Sequence, residues 1–176
     1  MLLHRSEEFS GILMETMDAL RLVFGTSGDT LILPCSGRGA FEAAVVSCLS
    51  PGERILVTVN GHFGQMLAGI AARVGMDVVT VEPDWNRPAD PAAVDDALSK
   101  DPTIQAVVVV HSETSTSILN PIAEMGAMVR KHNRLLIVDA VSSLGGAPVN
   151  MDAAQVDIVV SASQKGLMSP PGLGLL

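Results

Sequence analysis

Aromatic residues and charges are both scarce in this sequence of 176 residues. Aromatic residues make up 3% of the chain and tyrosine is absent, so the core must be built from valine, leucine, isoleucine, alanine and methionine. The charged fraction is 17% beside an apolar fraction of 48%, which argues against intrinsic disorder and a coiled coil. Only 11 basic residues stand against 19 acidic ones, and the net charge of −8 argues against a surface for nucleic acids or anionic membranes.

Long apolar runs and paired cysteines are also missing. The apolar runs, such as residues 106–110 and 135–138, have the length of a strand and fall far short of the roughly 20 residues of a membrane-spanning helix. The N-terminal stretch MLLHRSEEF becomes acidic before the apolar core of a signal peptide can form. Cys35 and Cys48 are the only cysteines, and their spacing matches neither a disulfide framework nor a metal site. These features predict a soluble chain in a reducing compartment, the cytoplasm.

Strand-like and helix-like segments alternate along the chain, which is long enough for one α/β core. The predicted strands are residues 30–34, 54–59, 77–81, 105–110, 135–138 and 157–160, and the predicted helices are residues 40–49, 63–74, 92–100 and 121–132. Because the strands are continuous runs of valine, isoleucine and leucine, we expect them to be covered on both faces in a mostly parallel sheet. Residues 172–176 (GLGLL) have the pattern of a further strand, so we expect the fold to continue beyond it.

Ligands of open parallel sheets bind beyond the carboxyl ends of the strands, so the residues that follow each strand are candidates for a site. The first strand leads into Ser36, Gly37 and Arg38, which form either an anion cradle at a helix N-terminus or an ordinary turn with a solvated arginine. A later strand leads into HSETST, residues 111–116, which run into a Ser/Thr-rich loop at 113–120. Its hydroxyls suit either a polar site or the capping of the next helix.

Two charged residues follow the last two strands. Asp139 ends a buried apolar strand, where an acid is costly unless donors or a cation meet it, so it is either a local cap or a carboxylate for a ligand cation. Lys165 lies among small residues after the last strand, as a surface lysine or as an amine nucleophile or base. The histidines have no metal-ligand spacing and are interpreted as structural or surface residues; they are His4, His62, His111 and His132.

The order of these motifs resembles the class V aminotransferases, fold-type I enzymes that use pyridoxal 5′-phosphate. The motifs are an SG-containing turn, then NGHFGQ, HSETST, VDAVSSLGG and SASQKGLMSPPG. The resemblance extends from residues 4–9 to residues 170–174 and is strongest to the alanine–glyoxylate and serine–pyruvate branch. It implies an α/β three-layer sandwich with a mostly parallel sheet, the large domain that binds the cofactor. It also implies that residues 1–176 form this domain alone, because the family's C-terminal small domain and its substrate-binding arginine would lie beyond them.

The resemblance also assigns roles to residues of this chain. Lys165 matches the lysine that forms a Schiff base with the cofactor and then moves a proton, and Asp139 matches the acid that pairs with the pyridine nitrogen. Phe63 and Val141 match the residues on the two ring faces, and Thr114 matches a hydroxyl near the ring oxygen. The turn at the phosphate corresponds to Ser36, Gly37 and Arg38, with Gln164 as a further phosphate contact.

The resemblance implies a homodimeric transaminase without a metal, with its active site at the subunit interface. It is expected to move an amino group from a small amino acid, of the alanine or serine type, to a 2-oxo acid such as glyoxylate or pyruvate. Two alternatives stay open: a lyase or desulfurase on the same fold, and a truncated fragment that binds the cofactor without catalysis. Two residues depart from the family pattern: Arg38 stands where threonine or histidine is common, and Ser117 stands where glycine is usual.

Overall fold

In the computed structural model, which describes residues 2–176, helices and strands alternate as the hydrophobic pattern predicts. The helices are α1 (Glu7–Phe24), α2 (Gly37–Cys48), α3 (His62–Arg73), α4 (Pro91–Lys100) and α5 (Ile122–Lys131). The strands are β1 (Ile32–Leu33), β2 (Arg54–Thr58), β3 (Asp77–Val81), β4 (Ile104–Val110), β5 (Ser112–Glu113), β6 (Ile118–Leu119), β7 (Leu135–Asp139), β8 (Ile158–Ala162) and β9 (Gly174–Leu175). Within the described residues, no helix is long and apolar enough to cross a bilayer.

The main sheet has the strand order β1-β9-β8-β7-β4-β2-β3. Its pairs from β8 through β7, β4 and β2 to β3 are all parallel, whereas β9 runs antiparallel to both β8 and β1. The sheet is therefore mostly parallel, as predicted, with an antiparallel edge. The register sets Asp139 of β7 between Val110 of β4 and Val160 of β8.

Two apolar clusters cover the two faces of this sheet. In the first, Phe41 of α2 and Leu67 of α3 pack with strand residues such as Val108. In the second, side chains from α4, α5 and the end of α1 pack with the alternate strand residues, among them Val107 and Leu136. Both faces are buried because successive side chains of a strand point to opposite sides. The fold is the predicted α/β three-layer sandwich.

Local chemistry explains where the site-bearing helix begins. Ser36 precedes α2, and its hydroxyl accepts a hydrogen bond from the backbone N–H of Gly39 at 3.3 Å. This N-cap starts α2 at Gly37, three residues before the predicted helix 40–49. The start of α2 therefore lies at the end of the short strand β1, at the edge of the sheet where ligands bind.

Three features differ from the predicted elements. The strand expected at residues 30–34 is reduced to β1, and the loop expected at 113–120 contains the antiparallel hairpin β5–β6. Ser117 lies between these strands and adopts a left-handed backbone with φ of 59°. It stands where the resemblance leads us to expect glycine, the residue that adopts this conformation most easily. Helix α1 lies outside the predicted elements, and of its 18 residues only Leu20 and Phe24 are buried. Its first three turns therefore pack on little of the described chain.

Candidate active site

A cavity of about 330 Å³ opens at the carboxyl ends of the parallel strands. The predicted site residues that line it are Ser36, Gly37, Arg38, Phe63, Asp139, Val141, Gln164 and Lys165. Thr114 does not line it, but the Thr114 hydroxyl is 2.7 Å from that of Ser142, which does. The cavity thus brings together side chains from the ends of five strands, β1, β2, β4, β7 and β8, in a space of the size typical of small-molecule sites.

The N-terminus of α2 forms one wall of this cavity. The first backbone N–H groups of a helix have no intrahelical partner, and the aligned peptide dipoles give this end a partial positive charge. Arg38, in the first turn of α2, is exposed and adds a full positive charge at the same end. A Cβ at Gly37 would lie 2.7 Å from the side chain of Val141. Glycine at this position therefore allows the backbone at the start of α2 to lie close to Val141. This wall is suited to an anionic group.

Asp139 lies at the floor of the cavity and is only 7% exposed. Its Oδ1 accepts a hydrogen bond of 2.8 Å from the backbone N–H of Val141. Burial raises the pKa of Asp139 to about 6, the hydrogen bond from Val141 opposes this rise, and the negative charge of Glu113 adds to it. A carboxylate held in this way gains stability when a cation or an N–H donor enters the cavity.

Lys165 follows β8 and reaches the cavity from the side of the last parallel strand. Its side chain is exposed, and the amine is therefore accessible from the cavity. The next residue, Gly166, packs so closely on Leu144 and Gly145 that an added Cβ would overlap the carbonyl oxygen of Leu144. This contact ties the segment carrying Lys165 to the segment that follows Asp139.

Phe63 forms another wall, in the first turn of α3. Its ring meets that of His62 edge to face, with the ring centroids 5.5 Å apart and an angle of 77° between the ring planes. The N-cap position of α3 is Gly61, which has no side chain to cap the helix. Instead, Glu113 Oε2 accepts hydrogen bonds of 3.0 Å from the backbone N–H groups of Phe63 and Gly64.

The segment HSETST is divided between the core and the cavity. His111 is buried with its Nδ1 2.9 Å from the Ser143 hydroxyl, and burial lowers the pKa of this histidine. Ser112 lines the cavity, Glu113 is fully buried, and Thr114 contacts Ser142 as described above. The segment therefore contributes to the cavity wall through Ser112, as the polar-site reading predicts. The expectation that its hydroxyls cap the next helix is wrong, because α5 begins after Pro121 without a side-chain cap and the carboxylate of Glu113 caps the preceding helix α3 instead.

Several residues of the cavity were not assigned to a site from the sequence: His62, Met66, Val110, Ser112 and Ser142. His62 is exposed, in agreement with the expectation of a structural or surface histidine, but it also borders the cavity. The signal that could have found it is its position beside Phe63 in the motif NGHFGQ. Glu113 stands in the motif HSETST, but only its contacts with α3 reveal that it is a cap.

The sequence model of the class-V aminotransferase family matches residues 1–176, and the chain belongs to this family. This result confirms the resemblance found in the sequence. Enzymes of the family depend on pyridoxal 5′-phosphate.

Individual relatives agree with the family assignment. A soluble hydrogenase 42 kDa subunit of Anabaena cylindrica is 42% identical over 98% of this chain and 46% of the relative. A serine–glyoxylate aminotransferase of Methylorubrum extorquens is 37% identical over 98% of this chain and 44% of the relative. The crystal structure of alanine–glyoxylate aminotransferase from Nostoc sp. superposes with a TM-score of 0.94 at 34% identity, covering 99% of this chain and 46% of that one. The chain thus spans about half the length of the relatives it matches.

Proposed function

We propose that residues 1–176 form the cofactor-binding domain of a transaminase that uses pyridoxal 5′-phosphate. The proposed reaction moves an amino group from a small amino acid, of the alanine or serine type, to a 2-oxo acid such as glyoxylate or pyruvate. One observation carries the proposal: an amine, a buried carboxylate and a helix N-terminus converge on one cavity. The alanine–glyoxylate and serine–glyoxylate aminotransferases among the relatives support this choice of substrates.

The chemistry of the lining residues fits the three reactive parts of this cofactor. Its phosphate is an anion and suits the start of α2 at Ser36, Gly37 and Arg38, with Gln164 as a further donor. Its ring nitrogen suits Asp139, and its aldehyde suits the amine of Lys165. Phe63 and Val141 offer apolar surface for the two faces of the ring, and Thr114 offers a hydroxyl close to Ser142.

When bound, the cofactor supplies an aldehyde that condenses with amines and a pyridinium ring that withdraws electrons. In this proposal Asp139 keeps the ring nitrogen protonated, and the pyridinium charge in turn stabilises the buried carboxylate, whose pKa is otherwise raised to about 6. The Nζ of Lys165 would hold the cofactor through its aldehyde and, when free, would act as the base that accepts the proton of the substrate α-carbon. Phe63 and Val141 would pack on the two faces of the ring.

The positions of the two cysteines test one alternative, a desulfurase on the same fold. Such an enzyme needs a cysteine that reaches the substrate. Cys35 is half-buried and Cys48 is exposed at the end of α2, and neither lines the cavity as residues 2–176 form it. Neither of these two thiols is therefore placed to reach the substrate, and the relatives named as aminotransferases support amino transfer.

The proposal includes a homodimer, supported by the surface of α1. An apolar ladder along this helix, Phe9, Leu13, Met17, Leu20 and Phe24, is buried only at its last two positions. Ile12 and Met14 beside it are also exposed, so the first turns of α1 present apolar area that a second copy would cover. Light scattering of the purified protein tests this, with Leu13→Glu expected to shift a dimer of about twice 18.3 kDa towards the monomer.

A cytoplasmic location is the last part of the proposal, and it is supported by the thiols. Cys35 and Cys48 are both free, as is usual in a reducing compartment. Fractionation of cells that produce the protein, followed by detection in the cytosolic and membrane fractions, tests the location.

The central experiment identifies which lysine binds the cofactor. The protein is incubated with pyridoxal 5′-phosphate, reduced with borohydride and mapped by peptide mass spectrometry. We expect a pyridoxyl group on Lys165 that is absent from Lys165→Ala. The chain carries its own controls, because Lys100 and Lys131 are held in surface ion pairs with Asp96 and Asp95. Equal labelling of all lysines would contradict the site.

Substrate choice needs a separate assay. The loaded protein is incubated with glyoxylate and either L-alanine or L-serine, and the glycine formed is measured. We expect glycine with the parent protein and none with Lys165→Ala. Labelling of Lys165 without any glycine would support the alternative of a fragment that binds the cofactor without catalysis.

A further inference from the structure

Glu113 is fully buried, yet its carboxylate is surrounded by hydrogen-bond donors. Oε2 accepts from the backbone N–H groups of Phe63 and Gly64, each at 3.0 Å. Oε1 accepts from the backbone N–H of Ser115 at 3.0 Å and from its hydroxyl at 2.6 Å. A buried carboxylate costs free energy unless such donors satisfy it, so these four contacts make up its local environment.

The four donors belong to two segments that are far apart in the chain. Two come from the first turn of α3, which carries Phe63, and two come from the turn after β5, which carries Thr114. The hydroxyl of Ser115 also accepts a hydrogen bond of 2.8 Å from the backbone N–H of His62, which joins the same two segments. Glu113 is therefore a cap that α3 receives from about fifty residues away.

Gly61, which precedes α3, has no side chain, and the carboxylate of Glu113 occupies the space beside it. A Cβ at Gly61 would overlap the carboxyl end of Glu113 and lie 2.6 Å from the hydroxyl of Ser115. An ordinary N-cap side chain at this position is thus replaced by a remote carboxylate. Because the carboxylate is remote, the orientation of Phe63 depends on the turn that carries Thr114, and the reverse also holds.

We propose that Glu113 is a positioning residue for the cofactor ring, holding Phe63 on one ring face in register with Thr114 at the ring edge. This inference rests on the proposed function of the cavity. Glutamine cannot replace the carboxylate, because its single oxygen can serve only one of the two donor pairs while its NH₂ group meets the other pair. Glu113→Gln is therefore the informative change.

Two measurements test the role. Hydrogen exchange by NMR, without cofactor, should show faster exchange at the amides of Phe63, Gly64 and Ser115 in Glu113→Gln, with the later turns of α3 unchanged. Equilibrium dialysis should show that pyridoxal 5′-phosphate binds about tenfold more weakly, the size expected when a charge-assisted contact is lost. Because Glu113 acts through Phe63, the double variant with Phe63→Ala should lose little beyond the about tenfold loss of Phe63→Ala alone.

A matched control separates positioning from general stability. Asp157 also caps a backbone N–H, that of Leu136 at 2.8 Å, but it precedes β8 at the opposite end of the strands. Asp157→Asn should lower the stability without changing the dissociation constant of the cofactor. If Glu113→Gln does not fold, Ser115→Ala takes its place. That variant removes one donor from the carboxylate and should weaken binding about twofold to threefold, again not additively with Phe63→Ala.

Three results would overturn the inference. The first is unchanged cofactor affinity in a folded Glu113→Gln or Ser115→Ala variant. The second is an effect that adds fully to that of Phe63→Ala, or that Asp157→Asn reproduces. The third is a parent protein that does not bind pyridoxal 5′-phosphate, which refutes the proposed function itself and is recognised because the parent fails alongside the variants.

Discussion

Asp139 should destabilise the protein when the cavity contains no cofactor. Burial raises its pKa from the ordinary value of 3.8 to about 6, which is about two units. One unit corresponds to about 1.4 kcal/mol, so the ionised carboxylate costs about 3 kcal/mol of unfolding free energy at neutral pH. Asparagine carries no charge and keeps an oxygen for the N–H of Val141, which now donates to Oδ1. Asp139→Asn should therefore be more stable than the parent by about 3 kcal/mol at pH 7.5.

The pH dependence gives this prediction its sign. Because the pKa of Asp139 is higher in the folded than in the unfolded state, the folded protein binds more protons between about pH 4 and pH 6. The stability that protonated Asp139 contributes is complete below pH 4 and is lost as the pH rises through this window. The advantage of Asp139→Asn should thus grow from below about 1 kcal/mol at pH 4 to about 3 kcal/mol at pH 7.5.

Urea denaturation of the cofactor-free proteins between pH 4 and pH 8 measures this difference directly. Other titrating groups are common to both proteins and cancel in the subtraction. Asp157→Asn is the control, since it removes a carboxylate that is paired with Arg130 and should lower the stability instead. A constant difference across the pH range, or a less stable Asp139→Asn at pH 7.5, would refute the reasoning. With pyridoxal 5′-phosphate added, the parent should gain more stability than the variant, because only the parent has a charge for the pyridinium.

Three further changes have defined outcomes. Phe63→Ala should raise the dissociation constant of pyridoxal 5′-phosphate about tenfold, and it should lower the free energy of unfolding in urea by about 1–2 kcal/mol, because the half-buried ring packs against the core. Equal affinity would remove the stacking role. Ser117→Gly should stabilise the protein by about 0.5–1 kcal/mol in urea, because φ of 59° favours glycine; a loss of stability would contradict this. Gly166→Ala should destabilise the protein by about 1–3 kcal/mol and reduce pyridoxyl labelling of Lys165, since the added Cβ overlaps the carbonyl of Leu144. Unchanged labelling would show that the site does not depend on this glycine contact.

The strands that hold the site could be predicted from the sequence because their signal is local. Continuous runs of valine, isoleucine and leucine mark β2, β4 and β7 within one residue of their observed ends. The rule for parallel sheets then directs attention to the residues after each strand, which include Ser36, Asp139 and Lys165. Local patterns do not predict the two proposed ring contacts. Phe63 and Val141 are assigned to the site only by the family resemblance. Half-buried apolar residues at such positions are common in any α/β core.

Other features depend on contacts between distant segments. Helix α1 is different, because its signals are local: Ser6 caps its start, Gly25 ends it and its apolar residues recur at helical spacing, while most of its apolar side has no partner within the described chain. The antiparallel pairing of β9 depends on which neighbours are free at the edge of the sheet. The exposure of Lys165 depends on the space that surrounds it, which a one-dimensional pattern does not contain.

By itself, the sequence determined the order of the parallel strands and of the helices between them, the parallel sheet and the ligand-bearing ends of its strands, because these follow from hydrophobic runs, caps and turns within a few residues. Helix α1 and the hairpin β5–β6 were not among its predictions. The tertiary structure alone decided that five strand ends share one cavity, that burial raises the pKa of Asp139, and that Glu113 caps a helix about fifty residues away. Those properties arise from the packing of residues that are remote in the chain, and both burial and hydrogen bonding depend on that packing.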